Sequence, residues 1–515
     1  MKDRGPLIRM RDGEIDLVVD EAERALLNWR EVEVYQRGQE LAEVSRLDHV
    51  VDDEGVRRQA GAVILRPLSA ERMTELMERS ADWRALRNRP GMGPVWMPAT
   101  PRTAYPLTLL KRGRWQFPVI KAVVTAPTMA LDGRVIQDPG YDAESGIYLD
   151  FGPSDFPRVP DKPTREDALS ALTLFGRPLR EMPWNSGVDK SVAYSAGLTA
   201  LVRSSLRAAP LHAFDAPTAG TGKSLCCDWV SVIKTGTTAA AMSQGKNPEE
   251  DEKRLSSCLY AGDNLILLDN CALPIEGDFL CSMLTQEVVQ ARILGQTKKV
   301  TLPSTALIIA SGNNLSTRDD MTRRVVKCRL DSHTERPDER VYDFNVKEET
   351  LRDRGLLAVA GLTVLRAYAV AGFPKVVTRS MGSFEDWSKL VRSALVWLDE
   401  ADPLDSREEL IEGDSQKSDL GEILEEWEAV VGRDAVGVEK MKAMAGAAHL
   451  VEMFQNVACG GRDFNSKRVG WWLRKHKDQV LGGRAFKADR VGQKIKWHIA
   501  SAGALTSSEE PALPF

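Results

Sequence analysis

The sequence predicts a multidomain α/β protein, with a parallel sheet flanked by helices between a strand-rich region and a basic C-terminal domain. Three observations predict it. A glycine-rich turn, Ala219-Gly220-Thr221-Gly222-Lys223-Ser224, lies between an apolar strand-length run and a helical stretch. Two later apolar runs end in polar residues, one at Asp269-Asn270 and one at Ser311-Gly312-Asn313-Asn314. Residues 420–503 read as helices followed by a basic hairpin.

Residues 1–160 are strand-rich and carry no recognisable chemistry. Strand character is expected over 31–35 and 60–65, an amphipathic helix over 70–88, and a Pro/Gly-rich connector over 90–106. Strands follow over 117–120 and 122–124, with hairpins around 131–134 and over 141–149. A Pro-rich linker covers 151–162. There is no carboxylate pair of a primase active site and no zinc-ligand spacing, so the region is not read as a primase. Residues 161–208 carry helices over 164–175 and 191–209 and are expected to form a collar or linker.

Residues 211–214 read as a buried strand and 223–233 as a helix. The turn between them frees backbone N–H groups at a helix N-terminus, a geometry that cradles phosphate. Gly220, Thr221 and Gly222 shape that cradle. Lys223 can reach the β- and γ-phosphates, and Ser224 can ligate Mg²⁺. The motif departs from its usual form at the first position, where Pro217 replaces glycine.

The runs over 264–268 and 305–310 look like buried parallel strands. A carboxylate at the end of the first, Asp269, can hold Mg²⁺ through water. The next residue, Asn270, can orient water but cannot take its proton. An acid from the run Glu249, Glu250, Asp251, Glu252 is one alternative; a solvated helix face is the other. Asn313 is expected to sense the γ-phosphate, with Asn314 as the fallback. Arg323 and Arg324 precede a strand over 325–330. One of them, Arg324 by preference, is expected to act on the nucleotide of a neighbouring subunit.

The order of these signals resembles AAA+ ATPases. Their compact spacing is 46 residues from Lys223 to Asp269, 44 to Asn313 and 11 to Arg324, and it looks like superfamily 3 helicases. Asp215-Ala216-Pro217-Thr218, Leu267-Leu268-Asp269-Asn270, Leu284-Thr285-Gln286, Ser311-Gly312-Asn313-Asn314-Leu315 and Asp320-Met321-Thr322-Arg323-Arg324 are similar to the helicase parts of primase-helicases from phages and integrative elements. The resemblance covers roughly 165–400. It implies an AAA+ core and helical lid over 209–400, ATP and Mg²⁺ as cofactors, and a ring of six identical subunits threading one DNA strand. It also implies that the hairpin expected over 291–301 reaches into the channel. Lys298 and Lys299, with Arg292 near, would grip the DNA backbone there without sequence preference.

Beyond an acidic linker over 401–419, the pattern of helix, helix, basic helix and basic hairpin fits a winged helix-turn-helix over 420–503. Between Gly461 and His498, eleven Lys/Arg stand against three Asp, in a chain of formal net charge −5. Lys467, Arg468, Arg474 and Lys475 on the helix and Lys494 and Lys496 on the hairpin are expected to contact duplex DNA. Trp471 and Trp472 are read as core. Residues 504–515 read as a disordered tail.

A hydrophobic content of 43% supports real cores. Seven scattered cysteines without a C-x-x-C pair point to a reducing cytoplasm, and no apolar run is long enough to span a membrane. The reading is an ATP-dependent DNA helicase of a mobile element, with a separate primase as a partner the resemblance allows. The alternatives are an ATPase that loads or remodels replication partners without unwinding, and an origin-recognition protein.

Overall fold

The computed structural model describes residues 5–501, apart from 30–33, 54–55, 153, 239, 246–247, 293–298, 334–344, 409–414, 478–480, 482–483 and 492–493. It divides into two compact units. One is Met1–Leu315 with Arg323–Arg407, and the other is Ser316–Thr322 with Glu408–Phe515.

The first unit opens with β1 (Leu7–Met10), α1 (Ile15–Asn28), β2 (Val34–Arg37), β3 (Glu40–Arg46), β4 (Val51–Asp53), β5 (Val56–Arg58) and β6 (Val63–Pro67). Then come α2 (Ala70–Ser80), β7 (Asp82–Arg89), β8 (Gly93–Pro98) and α3 (Ala104–Lys111). Short strands follow: β9 (Ala122–Val124), β10 (Thr128–Met129), β11 (Val135–Ile136), β12 (Gly140–Asp142) and β13 (Ile147–Leu149). Helices α4 (Arg165–Gly176) and α5 (Gly187–Val202) lead to the central sheet. Its segment runs β14 (Leu211–Ala216), α6 (Lys223–Thr235), β15 (Ala240–Ser243), α7 (Pro248–Ala261), β16 (Leu265–Cys271) and α8 (Asp278–Thr285). It continues with β17 (Val288–Arg292), β18 (Lys299–Pro303), β19 (Leu307–Asn313) and β20 (Val325–Arg329), and α9 (Val346–Arg352) and α10 (Arg354–Val370) follow.

The central sheet has the order β20-β14-β19-β16-β15-β5-β4. Its first five strands are parallel. Parallel strands are covered on both faces, which is why they read as unbroken apolar runs; every residue of β14 is buried. Trp229 on α6 packs edge-on against Phe175 of α4, with ring centroids 4.9 Å apart. Gly197 of α5 lies beneath the same indole, and a Cβ there would come within 2.4 Å of it. The helices expected to form a collar are therefore packed into this unit's own core. Their starts are locally encoded. Thr164 and Asp167 form a capping box, and Ser186 caps α5, each cap stabilising by about 1 kcal/mol.

The N-terminal residues are not one region. β5 pairs antiparallel with β15 and extends the central sheet. Arg58 makes a two-pronged bond to Asp263 at 2.7–2.8 Å, with both side chains buried. Arg37 donates to the carbonyls of Leu259 and Tyr260 at the end of α7. Gly38 (φ 60°) turns against the hairpin β17–β18, and a Cβ there would lie 2.2 Å from the Thr301 carbonyl oxygen. Residues 51–58 thus extend the central sheet, while β2, β3 and β6 form a sheet of their own held to its segment by these contacts. In contrast, β1, β7, β8, α1, α2 and α3 enclose a separate core around Trp83, Leu76 and Leu109.

Several sequence expectations need correction. The helix expected over 70–88 stops at Ser80, and Asp82–Arg89 is a strand. Pairing with β1 and β8 overrides helical propensity there. The connector over 90–106 holds β8 and the start of α3. The helix expected over 191–209 spans Gly187–Val202 and gives way to a 3-10 turn at Arg203–Ser205.

In the second unit, helices Ser415–Val431, Val438–Lys442, Ala448–Cys459 and Ser466–Lys475 precede the antiparallel pair β21 (Arg484–Val491) and β22 (Lys494–Ser501). A single helix expected over 438–456 is broken in two, with Gly446 at φ 85° between the parts. Trp427, Phe454, Trp472, Phe486 and Trp497 centre the core. Trp472 is core as expected. Trp471 is not: it is 64% exposed, because the face of Ser466–Lys475 turned inward carries Val469, Trp472 and Leu473. The tail lies outside the described residues.

Candidate functional site

The strand ends of the central sheet build the site. Register sets Ala216 opposite Asn313 and Ser243 opposite Asp269, so β14, β16 and β19 finish beside one another. The turn after β14 enters α6 through Gly220 (φ 80°) and Gly222 (φ 110°). Both conformations strain any residue with a side chain. Gly222 is the N-cap of α6 without a side-chain bond to the helix, so the first N–H groups face outward and suit an anion. Thr221 is buried and ties the turn, its Oγ1 donating to the Thr218 carbonyl oxygen at 2.9 Å.

Lys223 Nζ donates to Asn313 Oδ1 at 2.7 Å and to the Thr218 carbonyl oxygen at 3.1 Å. Burial pushes its pKa down, and Asp215 opposes that shift. The lysine and the asparagine expected to meet the γ-phosphate therefore touch each other. Asn314 has φ 50°, and its N–H donates to the Ala216 carbonyl oxygen.

Asp269 and Ser224 are both exposed, and both are oxygen ligands of the kind Mg²⁺ takes. Ser311 Oγ donates to Asp269 Oδ1 at 2.7 Å and accepts the Asn270 N–H at 3.2 Å, which fixes the orientation of the carboxylate. The strand register shifts between Leu268 and Cys271, and Asn270 has φ 53°. Such a bulge re-aims side chains at a strand end. A P-loop Mg²⁺ keeps waters and phosphate oxygens as most of its ligands, so two protein oxygens suffice and the residues present fit.

Sequence reasoning gave three residues here no role. Asp215, at the end of β14, is fully buried. Its Oδ1 accepts the Leu315 N–H at 2.8 Å, and its Oδ2 faces Arg329 at 3.7 Å and Lys327 at 3.9 Å. It thereby ties the Asn313 loop to β20. Asp228 follows Ser224 by four residues, one turn along α6 on the same face. Burial raises its pKa, Lys347 lowers it and the Asp269 charge adds to the rise. The i, i+4 spacing was the available signal. Ser311 was legible only as part of a motif.

The acidic run divides. Asp251 is half-buried with a raised pKa caused by burial, and its Oδ1 accepts the Gly245 N–H at 2.8 Å; Glu249 is exposed. The two arginines differ in exposure. Arg324 is 8% exposed in its own subunit, whereas Arg323 is exposed. Arg324 directly precedes β20, whose residues Val325–Cys328 are all buried.

The predicted hairpin exists, with Arg292 opposite Lys299 in β17–β18. Lys298 and the tip lie outside the described residues. In the second unit, Asn465 caps Ser466–Lys475 by accepting from the Lys467 and Arg468 N–H groups. Lys467, Arg468, Trp471, Arg474 and Lys475 are exposed on that helix. Lys496 lies opposite Asp489 on β22, which Lys494 begins.

No family model and no curated protein matches the chain. Among solved structures, the chain is similar to the C-terminal region of NrS-1 in its apo form, with 12% identity, TM-score 0.40, and coverage of 93% of this chain and 98% of that one. It is also similar to SCCmec type IV Cch, described as an active helicase, with 12% identity, TM-score 0.36 and coverage of 93% and 99%. JCV helicase is similar at 12% identity and TM-score 0.20, over 46% of this chain and 67% of that one.

Proposed function

We propose that this chain is an ATP-dependent DNA helicase, a ring-forming replicative motor of a phage or integrative mobile element. The observation that carries the reading is the bond from Lys223, at the start of α6, to Asn313 at the end of β19, with Asp269 held by Ser311 at the end of the adjacent parallel strand. Gly220 to Ser224 would bind the phosphates, and Ser224 with Asp269 would hold Mg²⁺. The ion, when bound, neutralises charge on the phosphate oxygens. Lys223 and Asn313 would exchange their mutual bond for bonds to the γ-phosphate. Arg323 would act on a neighbouring subunit's nucleotide, and Asp228 or Asp251 would accept the proton that Asn270 cannot. The β17–β18 hairpin would track a single strand while the second unit, as a winged helix, holds duplex DNA.

Unwinding of a forked DNA by the full chain tests this, with Lys223→Ala as the control. Unwinding that depends on ATP and is lost in the variant supports the motor. Asn270, standing where a proton acceptor is needed, favours one other reading: an ATPase that loads or remodels replication partners. DNA-stimulated ATP hydrolysis without strand separation would select it and sink the helicase.

A further inference from the structure

Trp471 differs from every other aromatic side chain in the described residues. It is 64% exposed, while each of the other Trp, Tyr and Phe residues among them is buried or half-buried. Its helix, Ser466–Lys475, already buries an apolar face through Val469, Trp472 and Leu473, so packing gives no reason for an indole on the outward side. A single exposed apolar side chain is ordinary. The surroundings of this one are not.

Helical spacing places Lys467 and Lys475 one turn to either side of Trp471, with Arg468 and Arg474 beside them. All four cations are exposed, so the indole is centred among them on the outward face. It also walls a groove of about 620 Å³. Cys459 and Gly460, where the preceding helix ends, line this groove with Arg462, Lys467 and Arg468. Three cations line it and no carboxylate does. Asn465 already accepts the Lys467 and Arg468 N–H groups, so an anion here would be held by side chains and not by the helix end.

In the function proposed above, this helix meets duplex DNA. A stacked base pair shows a side chain only its edges and its phosphates. Cations and polar groups suit those, and the faces of an indole are left without a partner. An unpaired base offers a face of its own, and such bases are held by stacking on an aromatic ring beside cations that take the backbone.

We propose that this groove takes one unpaired base of the DNA, stacked on Trp471, with Arg462, Lys467 and Arg468 on the flanking phosphates. The proposal rests on the reading of the second unit as a DNA-binding domain and adds what that unit selects: a place where the duplex is open or interrupted. The second unit then marks DNA that is already locally melted, with no need of ATP turnover.

The test uses the full chain without ATP. Two fluorescein-labelled probes are compared by anisotropy, a plain duplex and the same duplex interrupted by an unpaired 5-iodouracil, which also maps its contact by photocrosslinking. The interrupted probe is expected to bind about tenfold more tightly, the worth of one stacked base. Because Trp471 is exposed, Trp471→Ala leaves the fold intact. That variant is expected to lose the preference, and Trp471→Phe, which can still stack, to keep most of it. Crosslinks are expected within residues 458–475 and lost in Trp471→Ala. Arg474→Ala, on the helix but outside the groove, should weaken both probes alike. If it does so while Trp471→Ala keeps the preference, or weakens both probes equally, stacking is overturned and the DNA-binding reading stands. If neither variant changes the affinity for either probe, that reading fails and the proposal with it. A Trp471→Ala variant that loses only self-association also overturns it, marking an interface between copies.

Discussion

The nucleotide corner and the basic helix Ser466–Lys475 are both rich in polar side chains, but they hold them differently. In the corner the central groups are committed. Lys223 bonds Asn313, Ser311 bonds Asp269, and Asp215 bonds the Leu315 N–H. Such pre-arranged groups act on charge that develops during a reaction and need little reorganisation. On the helix, Arg474 turns to the Gly470 carbonyl oxygen and Arg468 to that of Cys459, while Lys467 stands in water. Groups held this loosely neutralise phosphates one at a time and release counterions. On the proposed function, the difference teaches what each site would lose: rate, all at once, in the corner; affinity, in steps, on the helix.

The sharpest way to break this comparison is at the arginines. Arg323→Ala is expected to lower ATP turnover of the assembled protein by about 10³-fold or more, the scale of a finger acting in trans. Arg324→Ala should act chiefly on stability. Mixed assemblies of Arg323→Ala and Lys223→Ala subunits should regain part of the turnover, because each supplies what the other lacks. If Arg324→Ala alone abolishes turnover in a folded protein, the assignment by exposure is wrong.

On the helix, the double change Lys467→Ala/Arg474→Ala should weaken duplex binding about tenfold. It should also flatten the salt slope by about 1.8, while DNA-independent hydrolysis is unchanged. Salt titration of binding beside an ATPase assay decides it, and a fall in basal hydrolysis would show that the two regions are not separable.

The gentlest slope per unit of change lies in the strand that feeds the corner and in α6. Burial depresses the pKa of His212 to about 3, and that of Lys234, on α6, to about 7. Both are bases that the folded protein keeps neutral where the unfolded chain is protonated. Between pH 3 and the ordinary histidine value near 6.5, the unfolded chain holds the extra proton, so stability falls as pH drops through that window. Between pH 7 and the ordinary lysine value near 10.5 the same sign makes stability rise with pH. Each slope is at most about 1.4 kcal/mol per pH unit. Thermal melts across pH should show both slopes, with Lys234→Met removing the upper one.

Much of the corner was legible because phosphate binding uses local chemistry. A glycine turn, a helix start and a strand-end carboxylate lie close together in sequence, and each has its own signature. Four of the five parallel strands were legible for a similar reason, since burial on both faces demands unbroken apolar runs such as Leu265–Leu268; β15 was not. The spacing of basic residues marked the helix Ser466–Lys475 as well.

Tertiary structure decided the rest. Residues 51–58 join the central sheet through β15 and the Arg58–Asp263 pair, and nothing in their local pattern names that partner. Asp82–Arg89 became a strand because β1, some seventy residues earlier, offers it a parallel edge. Which of two adjacent arginines faces water, and which of two adjacent tryptophans fills the core, depended on the face each element buries. Adjacent residues point in different directions, and only the packed neighbours fix which direction is inside.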